Sequence, residues 1–291
     1  MKILITGANG QLAQSLALTL APLGNIIALD RKGFDLSHLS SSLHKLSEIK
    51  PDLIINAGAY TAVDRAETEE ALAFQINAHA PGALAQYCRS APCALIHYST
   101  DYVFNGQKSS AYVEDDITDP INVYGKSKRE GEIAILKEDC PALIFRTSWV
   151  YSLEGQNFLT TMLRLGQERD EVRVINDQWG SPTSTQSLAQ ATLALLQQKP
   201  NHLSLVDYFY AHRGIYHMTN QQFTSWFGFA QAIFDLRPSR AKLTAIASHE
   251  YPTAAKRPTM SCLDNSKLKE HFDITLPDWH DALRECLKVK S

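Results

Sequence analysis

The chain has 291 residues, enough to bury a large core as one elaborated domain or as two unequal ones. With 44% hydrophobic residues and 20% charged residues, it has the composition of an ordinary globular protein. Its net charge is −3, and it has no cluster of lysine and arginine of the kind that binds nucleic acid. The first apolar run, at residues 3–5, is too short for a signal peptide. No run approaches the roughly 20 apolar residues that span a bilayer. We therefore expect a cytoplasmic protein without membrane or nucleic-acid partners.

The first half of the chain alternates between strand and helix patterns. The predicted strands are residues 2–6, 25–29, 53–55, 94–97 and 142–147. The predicted helices are residues 11–23, 39–49, 69–88 and 124–137. The strands are almost wholly apolar, as expected where helices cover both faces of a parallel sheet. This alternation predicts βαβ units, and hence an α/β fold with a Rossmann-like doubly wound parallel sheet.

The second half has longer loops and more proline from about Tyr151 onward, although helical patterns remain at residues 158–169 and 187–197. We therefore predict an NAD(P)-binding Rossmann domain at residues 1–150, with residues 185–205 packing back on it. Residues 151–184 and 206–291 are predicted to form a smaller C-terminal substrate-binding domain.

A glycine-containing loop, Gly7-Ala8-Asn9-Gly10-Gln11-Leu12-Ala13, joins the first strand to the first helix. Such a loop turns tightly, approaches a pyrophosphate closely and places it at a helix N-terminus. Asp30 ends the second strand, where a carboxylate accepts the ribose 2′-hydroxyl of NAD. Arg31 and Lys32 follow at once and could receive the 2′-phosphate of NADP. The cofactor is thus NADPH or NADH. Its predicted contacts from these segments are Gly7, Gly10, Gln11, Leu12, Asp30 and Arg31.

Tyr124 and Lys128 are four residues apart, so on a helix they share one face. A nearby ammonium favours the phenolate and lowers the pKa of a tyrosine, which makes the phenol a better proton relay. The spacing alone is common, but Ser99 and Thr100 follow an apolar strand and place hydroxyls at the ligand-binding edge of the sheet. Either hydroxyl could steady a developing alkoxide. Together these residues predict a nicotinamide-dependent carbonyl reductase.

The histidine and cysteine patterns predict neither a metal site nor disulfides. The five cysteines lack a C-x-x-C pair, which favours free thiols in a reducing compartment. The histidines show no spacing typical of zinc ligands. We therefore expect no bound metal.

The chain resembles the extended short-chain dehydrogenase/reductases and, within them, the dTDP-4-dehydrorhamnose reductase family, almost from end to end. The segments that carry the resemblance lie at residues 7–12, 59–64, 99–104, 123–128, 146–151, 176–183 and 257–258. The stretches Arg-Thr-Ser-Trp-Val-Tyr (146–151) and Asp-Gln-Trp-Gly-Ser-Pro-Thr (177–183) are specific to that family, whereas Tyr-x-x-x-Lys is not.

The resemblance implies reduction of dTDP-4-dehydro-β-L-rhamnose at C4 to dTDP-L-rhamnose, the donor for surface polysaccharide. Tyr124 would protonate the oxygen, with Lys128 and Thr100 completing the catalytic set. The cofactor contacts that it implies are Asp35, Leu36, Ala59, Tyr60, Thr61 and Tyr98. Tyr124 and Lys128 are also expected to contact the cofactor, the lysine at the nicotinamide ribose hydroxyls. The sugar contacts that it implies are Thr100, Asp101 and Trp149. From its charge, Arg257 could neutralise the substrate diphosphate.

Some members of the family form dimers bridged by magnesium. The aligned positions here are Ser15 and Gln186, which are poor ligands for an ion that prefers carboxylates. We therefore expect no magnesium and a monomer or weak homodimer. Two alternatives stay open: another nucleotide-sugar reductase or epimerase on this scaffold, and a non-catalytic NADP-binding regulatory subunit of the methionine adenosyltransferase type.

Overall fold

The computed structural model describes residues 1–288. The strands, in chain order, are β1 (Lys2–Thr6), β2 (Asn25–Leu29), β3 (Leu53–Asn56), β4 (Ala94–Thr100), β5 (Ala142–Thr147), β6 (Val150–Tyr151), β7 (Glu171–Ile175), β8 (Trp179–Gly180), β9 (Thr183–Ser184), β10 (Gly214–His217), β11 (Thr224–Ser225) and β12 (Lys242–Ile246). The helices are α1 (Gln11–Thr19), α2 (Leu39–Ile49), α3 (Val63–Ala66), α4 (Glu70–Phe74), α5 (Ala80–Ser90), α6 (Val123–Lys137), α7 (Phe158–Glu168), α8 (Thr185–Gln197), α9 (Leu205–His212), α10 (Trp226–Leu236), α11 (Ser266–Phe272) and α12 (Trp279–Lys288).

The central sheet has six parallel strands in the order β10-β5-β4-β3-β1-β2. Successive side chains of one strand enter different cores. Ile3 and Ile5 pack in the core that includes α1 and α8, whereas Leu4 packs in the core that includes α2 and α5. Because both faces are covered, the central strands can be apolar throughout. The predicted Rossmann-like fold class is confirmed.

Three elements differ most from the sequence prediction, and other boundaries differ by one or two residues. The first helix ends at Thr19 rather than at residue 23, because Pro22 lacks the N–H that a continuing helix needs. The helix predicted at 69–88 is α4 and α5 joined by a π-helical turn, Gln75–His79. Strand β4 runs to Thr100 instead of stopping at residue 97. The extended strand carries Ser99 and Thr100 to the carboxyl edge of the sheet.

A separate apolar core lies in the C-terminal half, where α7, α10 and α12 pack with the parallel pair β7 and β12. Helix α8 packs on α1 and contributes Leu188 and Leu195 to the core of the central sheet. Strand β10 comes from residues 206–291, the segment that the sequence assigned to the substrate-binding domain, yet it pairs with β5 in the central sheet. The sheet thus draws on both segments, and the division into two domains stays a prediction. Among residues 1–288, no helix has the length and apolar character needed to cross a membrane.

Candidate active site

The glycine loop forms the floor of a cleft at the carboxyl edge of the sheet. Gly7 has φ +74°, and a Cβ there would come within 2.7 Å of Gly58 Cα. The N–H of Gly10 donates to the Gly7 carbonyl at 2.7 Å, which closes the turn just before α1. The loop therefore requires glycine at residue 7, and it aims the N-terminus of α1 into the cleft, as pyrophosphate binding demands.

The cleft has a volume of ≈ 460 Å³. Its lining includes most of the predicted cofactor contacts: Gly7, Gly10, Gln11, Leu12, Asp30, Arg31, Ala59, Thr61, Tyr98, Tyr124 and Lys128. Residues that the sequence analysis did not assign to the cofactor also line it: Asn9, Ala57, Gly58, Ser99, Thr147, Val150, Gly155 and Gln156. Asp35, Leu36 and Tyr60 are not part of this lining. Leu36 packs beneath Gly58, and the Tyr60 hydroxyl donates to Glu69 at 2.6 Å.

One end of the cleft holds Asp30 and Arg31. Asp30 Oδ1 accepts the Gly33 N–H at 3.0 Å, and this backbone hydrogen bond holds the pKa of Asp30 below its usual value. Arg31 Nε lies 3.4 Å from Asp35 Oδ2, and its side chain is 71% exposed. An exposed pair of this kind is weak, so the guanidinium can turn toward a 2′-phosphate at little cost. The geometry accommodates both NADH and NADPH.

The other end of the cleft holds Tyr124, in the first turn of α6. Asn122 caps this helix and accepts the Gly125 N–H at 2.7 Å. Burial raises the pKa of Tyr124 to about 12, and a hydrogen bond with Thr100 opposes the shift. The pKa of Tyr124 is therefore raised, whereas the sequence predicted that a neighbouring ammonium would lower it, and Tyr124 carries its proton at neutral pH. It is suited to act as an acid.

Lys128 is 2% exposed and lies one turn further along α6. Its Nζ donates to the Tyr98 carbonyl at 2.6 Å and lies 3.3 Å from His97 Nε2. Burial lowers the pKa of Lys128 to about 8, and the charge of Glu132 opposes this. Burial also lowers the pKa of His97, which keeps that ring neutral. His97 Nδ1 is 3.0 Å from Asn56 Nδ2, so a buried chain of polar groups fixes the lysine.

Asp101 contacts Thr100 and Ser148, and Trp149 directly follows Ser148. Asp101 accepts hydrogen bonds from Thr100 at 3.0 Å and from Ser148 at 3.2 Å, and burial raises its pKa to about 6. Trp149 has φ +46°, in the left-handed region that few side chains adopt. Its ring stacks on Trp226 at 3.5 Å and 7°. Strain of this kind persists where the surrounding packing enforces it.

A second cavity, of ≈ 860 Å³, lies between α7, β7 and the segment 251–257. Its walls are largely apolar, with Phe158, Met162, Val172 and Trp226 among them. Arg257 opens onto the same cavity and pairs with Asp64, with Nη2 2.7 Å from Oδ2. Apolar walls that also carry Arg169, Arg173 and Arg257 offer surface for a base and cations for its phosphates.

Comparison with known proteins gives the family. The chain matches the family described as "RmlD substrate binding domain" over residues 1–291. A dTDP-4-dehydrorhamnose reductase of Burkholderia thailandensis is 43% identical over 296 residues, which cover 99% of this chain and 98% of that protein. The chain belongs to the dTDP-4-dehydrorhamnose reductase family. The resemblance stated from the motifs is thereby confirmed.

Solved structures of the dTDP-4-dehydrorhamnose reductase family share the fold. The reductase of Clostridium acetobutylicum matches with a TM-score of 0.91 at 37% identity, over 99% of each chain. The reductase of Bacillus anthracis, solved in complex with NADP, matches with a TM-score of 0.91 at 36% identity, over 100% of each chain. The predicted nicotinamide cofactor is thereby confirmed for this family, whereas its binding in the cleft of this chain stays a prediction.

Sequence reasoning missed two polar residues at the site: His97, which contacts Lys128, and Thr147, which lines the cleft. Both lie within predicted strands, where a polar residue in an apolar run was the available signal. Polar contacts link Asn56 of β3, His97 of β4 and Lys128 of α6. No local sequence pattern predicts a contact between three separate elements. Sequence reasoning also did not assign Trp226 to the site, although its ring stacks on that of Trp149.

Proposed function

We propose that the protein reduces dTDP-4-dehydro-β-L-rhamnose at C4 to dTDP-L-rhamnose, with NADPH or NADH as the hydride source. This would be the last step in making dTDP-rhamnose for surface polysaccharide. The observation that carries the proposal is that Tyr124 and Lys128 both line the cofactor cleft, with Thr100 hydrogen-bonded to Tyr124, within a chain of this family. A nicotinamide dinucleotide fits the cleft, because the Gly7 turn and the α1 N-terminus form its anion cradle. The cofactor supplies a hydride for the substrate carbonyl.

Tyr124 donates the proton that the carbonyl oxygen needs as C4 receives the hydride. Its raised pKa favours this role, because the phenol is fully protonated at neutral pH until the developing alkoxide withdraws the proton. The Thr100 hydroxyl donates to Asp101 in the structure; on substrate binding it would turn to the same oxygen and steady its charge. Lys128 stays fixed by Tyr98 and His97, holds the ribose hydroxyls and stabilises the phenolate left after transfer.

We infer that the nucleotide of the substrate occupies the second cavity. Phe158 and Val172 offer apolar surface to the base, and Arg257 faces the diphosphate. Asp64 engages Arg257 through both carboxylate oxygens and so orients the guanidinium. The sugar would then lie against Trp149, whose flat ring suits a sugar face.

Further cofactor contacts are proposed at Asp35, Leu36, Ala59, Tyr60, Thr61 and Tyr98. The protein is proposed to work in the cytoplasm as a monomer or weak homodimer. The Ser15 hydroxyl donates to Thr185 at 2.7 Å, so it serves the packing of α1 on α8. This hydrogen bond gives Ser15 a packing role that does not require magnesium.

The deciding experiment incubates the purified protein with the dTDP-4-keto sugar and either NADPH or NADH. Loss of nicotinamide absorbance with formation of dTDP-L-rhamnose is the expected result. Absence of turnover in a protein that still binds the cofactor would refute the proposal. Turnover of other nucleotide-linked keto sugars alone would favour another reductase or epimerase. Binding to methionine adenosyltransferase without any turnover would favour the regulatory subunit.

A further inference from the structure

Thr147, the last residue of β5, carries a buried hydroxyl. The residue is 6% exposed and lines the cofactor cleft. Its Oγ1 has no hydrogen-bond partner within residues 1–288. A buried hydroxyl without a partner costs folding free energy, and almost all such groups in folded proteins are satisfied. An unsatisfied hydroxyl that borders a ligand cleft therefore points to a partner on the ligand.

The neighbouring hydroxyls are already engaged. Ser99, Thr100 and Ser148 lie at the same carboxyl edge of β4 and β5, and each donates to a buried carboxylate. Thr147 lies opposite Thr100 in the parallel register. Within this group of four, Thr147 differs in having no partner in the part of the chain that the structure describes. This lack of a partner indicates that the Thr147 hydroxyl hydrogen-bonds to a ligand.

The strand order tells which part of the cofactor reaches Thr147. The glycine loop follows β1 and takes the pyrophosphate, while Asp30 follows the edge strand β2 and takes the adenosine ribose. Strand β5 lies beyond β3 and β4, on the opposite side of β1 from β2. A dinucleotide that starts at Asp30 and crosses the glycine loop brings its nicotinamide end to Thr147, Tyr124 and Lys128.

We propose that the Thr147 hydroxyl binds the carboxamide of the nicotinamide ring. The carboxamide is the only polar substituent on that ring, and it both donates and accepts hydrogen bonds. A hydroxyl matches both roles. By holding the carboxamide, Thr147 fixes the rotation of the ring and therefore the face from which the hydride leaves. Thr147 is thus a residue that binds and orients the cofactor.

The inference rests on the cofactor part of the proposed function. Its test needs no substrate, so its failure is distinguishable from failure of the proposed reaction. Replacing Thr147→Val removes the hydroxyl and keeps the shape of the side chain. The expected dissociation constant for NADPH and NADH rises roughly 5- to 20-fold, as for loss of one buried hydrogen bond. The dissociation constant for ADP-ribose, which lacks nicotinamide, stays at the parent value. Thr147→Ser keeps a hydroxyl and retains parental cofactor affinity.

The same substitution should change stability in the opposite direction: it should weaken cofactor binding but stabilise the protein without cofactor. Because Thr147→Val removes an unsatisfied buried hydroxyl, the melting temperature of the protein without cofactor should rise by roughly 2–4 °C. A merely structural threonine would lower the melting temperature when replaced. The assignment would be overturned if NADPH affinity stayed at the parent value, with or without a lower melting temperature. It would also be overturned if ADP-ribose and NADPH binding were lost equally. If the valine variant does not fold, Thr147→Ala takes its place with the same binding comparison.

Discussion

Helix α6, which carries Tyr124 and Lys128, is tied to the central sheet by an ion pair that is almost wholly buried. Arg146 Nη2 lies 2.7 Å from Glu132 Oε2, and Arg146 Nε lies 2.9 Å from Glu132 Oε1. The two side chains are 3% and 2% exposed. This bidentate geometry satisfies two charges that could not otherwise remain inside the protein. The pair therefore offers a quantitative test of what holds α6 in place.

Replacing Glu132→Gln keeps the shape of the side chain and an acceptor for the Ser99 hydroxyl, but removes the negative charge. The Arg146 guanidinium is then buried without a counter-charge, which costs roughly 3–5 kcal/mol in free energy of unfolding. Globular proteins have only about 5–15 kcal/mol in total. At roughly 2–4 °C per kcal/mol, the melting temperature should fall by roughly 6–20 °C.

The measurement is thermal and urea unfolding of the parent and the variant, followed by circular dichroism. The matched control is the double variant Glu132→Leu with Arg146→Met, which replaces both charges by apolar groups of similar size. Its stability should recover most of the loss, because no charge remains buried alone. A single variant that loses less than about 1 kcal/mol would refute the reasoning, as would a double variant less stable than the single one.

Three further predictions concern the site. Tyr124→Phe should bind NADPH like the parent while turnover falls at least about 100-fold, because only the proton donor is lost. The kcat/KM should fall as pH rises through about 8, where Lys128 loses its proton, and Lys128→Arg should move this limb to higher pH; an unchanged limb would contradict the assignment. In Gly180→Ala, the new Cβ would lie 2.5 Å from the Trp149 ring and displace it. We expect a higher KM for the sugar nucleotide and an unchanged dissociation constant for NADPH, measured by fluorescence titration.

The sequence predicted the features that depend on local pattern. The Gly7 turn, the five strands of the first half and the four-residue spacing of Tyr124 and Lys128 each follow from neighbouring residues, and the fold class followed from them. Helix and strand ends were less accurate: the residues of β4 beyond His97 are polar, so periodicity stopped before the strand did.

Contacts between distant segments were beyond the reach of sequence. Strand β10 lies about 70 residues beyond β5 in the sequence, yet the two strands pair in the sheet. Nothing in the four residues of β10 predicts that it pairs with β5. The same limit applies to Arg146 and Glu132. Each looks like an ordinary charged residue in the sequence, and only the packing of α6 on β5 shows that both are buried. Long-range burial, rather than residue type, gives these side chains their role.

The turn that carries Tyr124 is also where the two halves of the chain meet. The Asn122 side chain donates to the Lys256 carbonyl at 2.7 Å, and the Val123 N–H donates to Glu67 at 2.9 Å. The neighbouring Arg257 faces the second cavity and pairs with Asp64. Lys256, next to a residue of that cavity wall, is therefore hydrogen-bonded to the residue that caps the Tyr124 helix. Under the proposed function, a ligand that moves Arg257 would act on a segment joined directly to the Tyr124 turn, and binding in the cavity would be coupled to proton delivery.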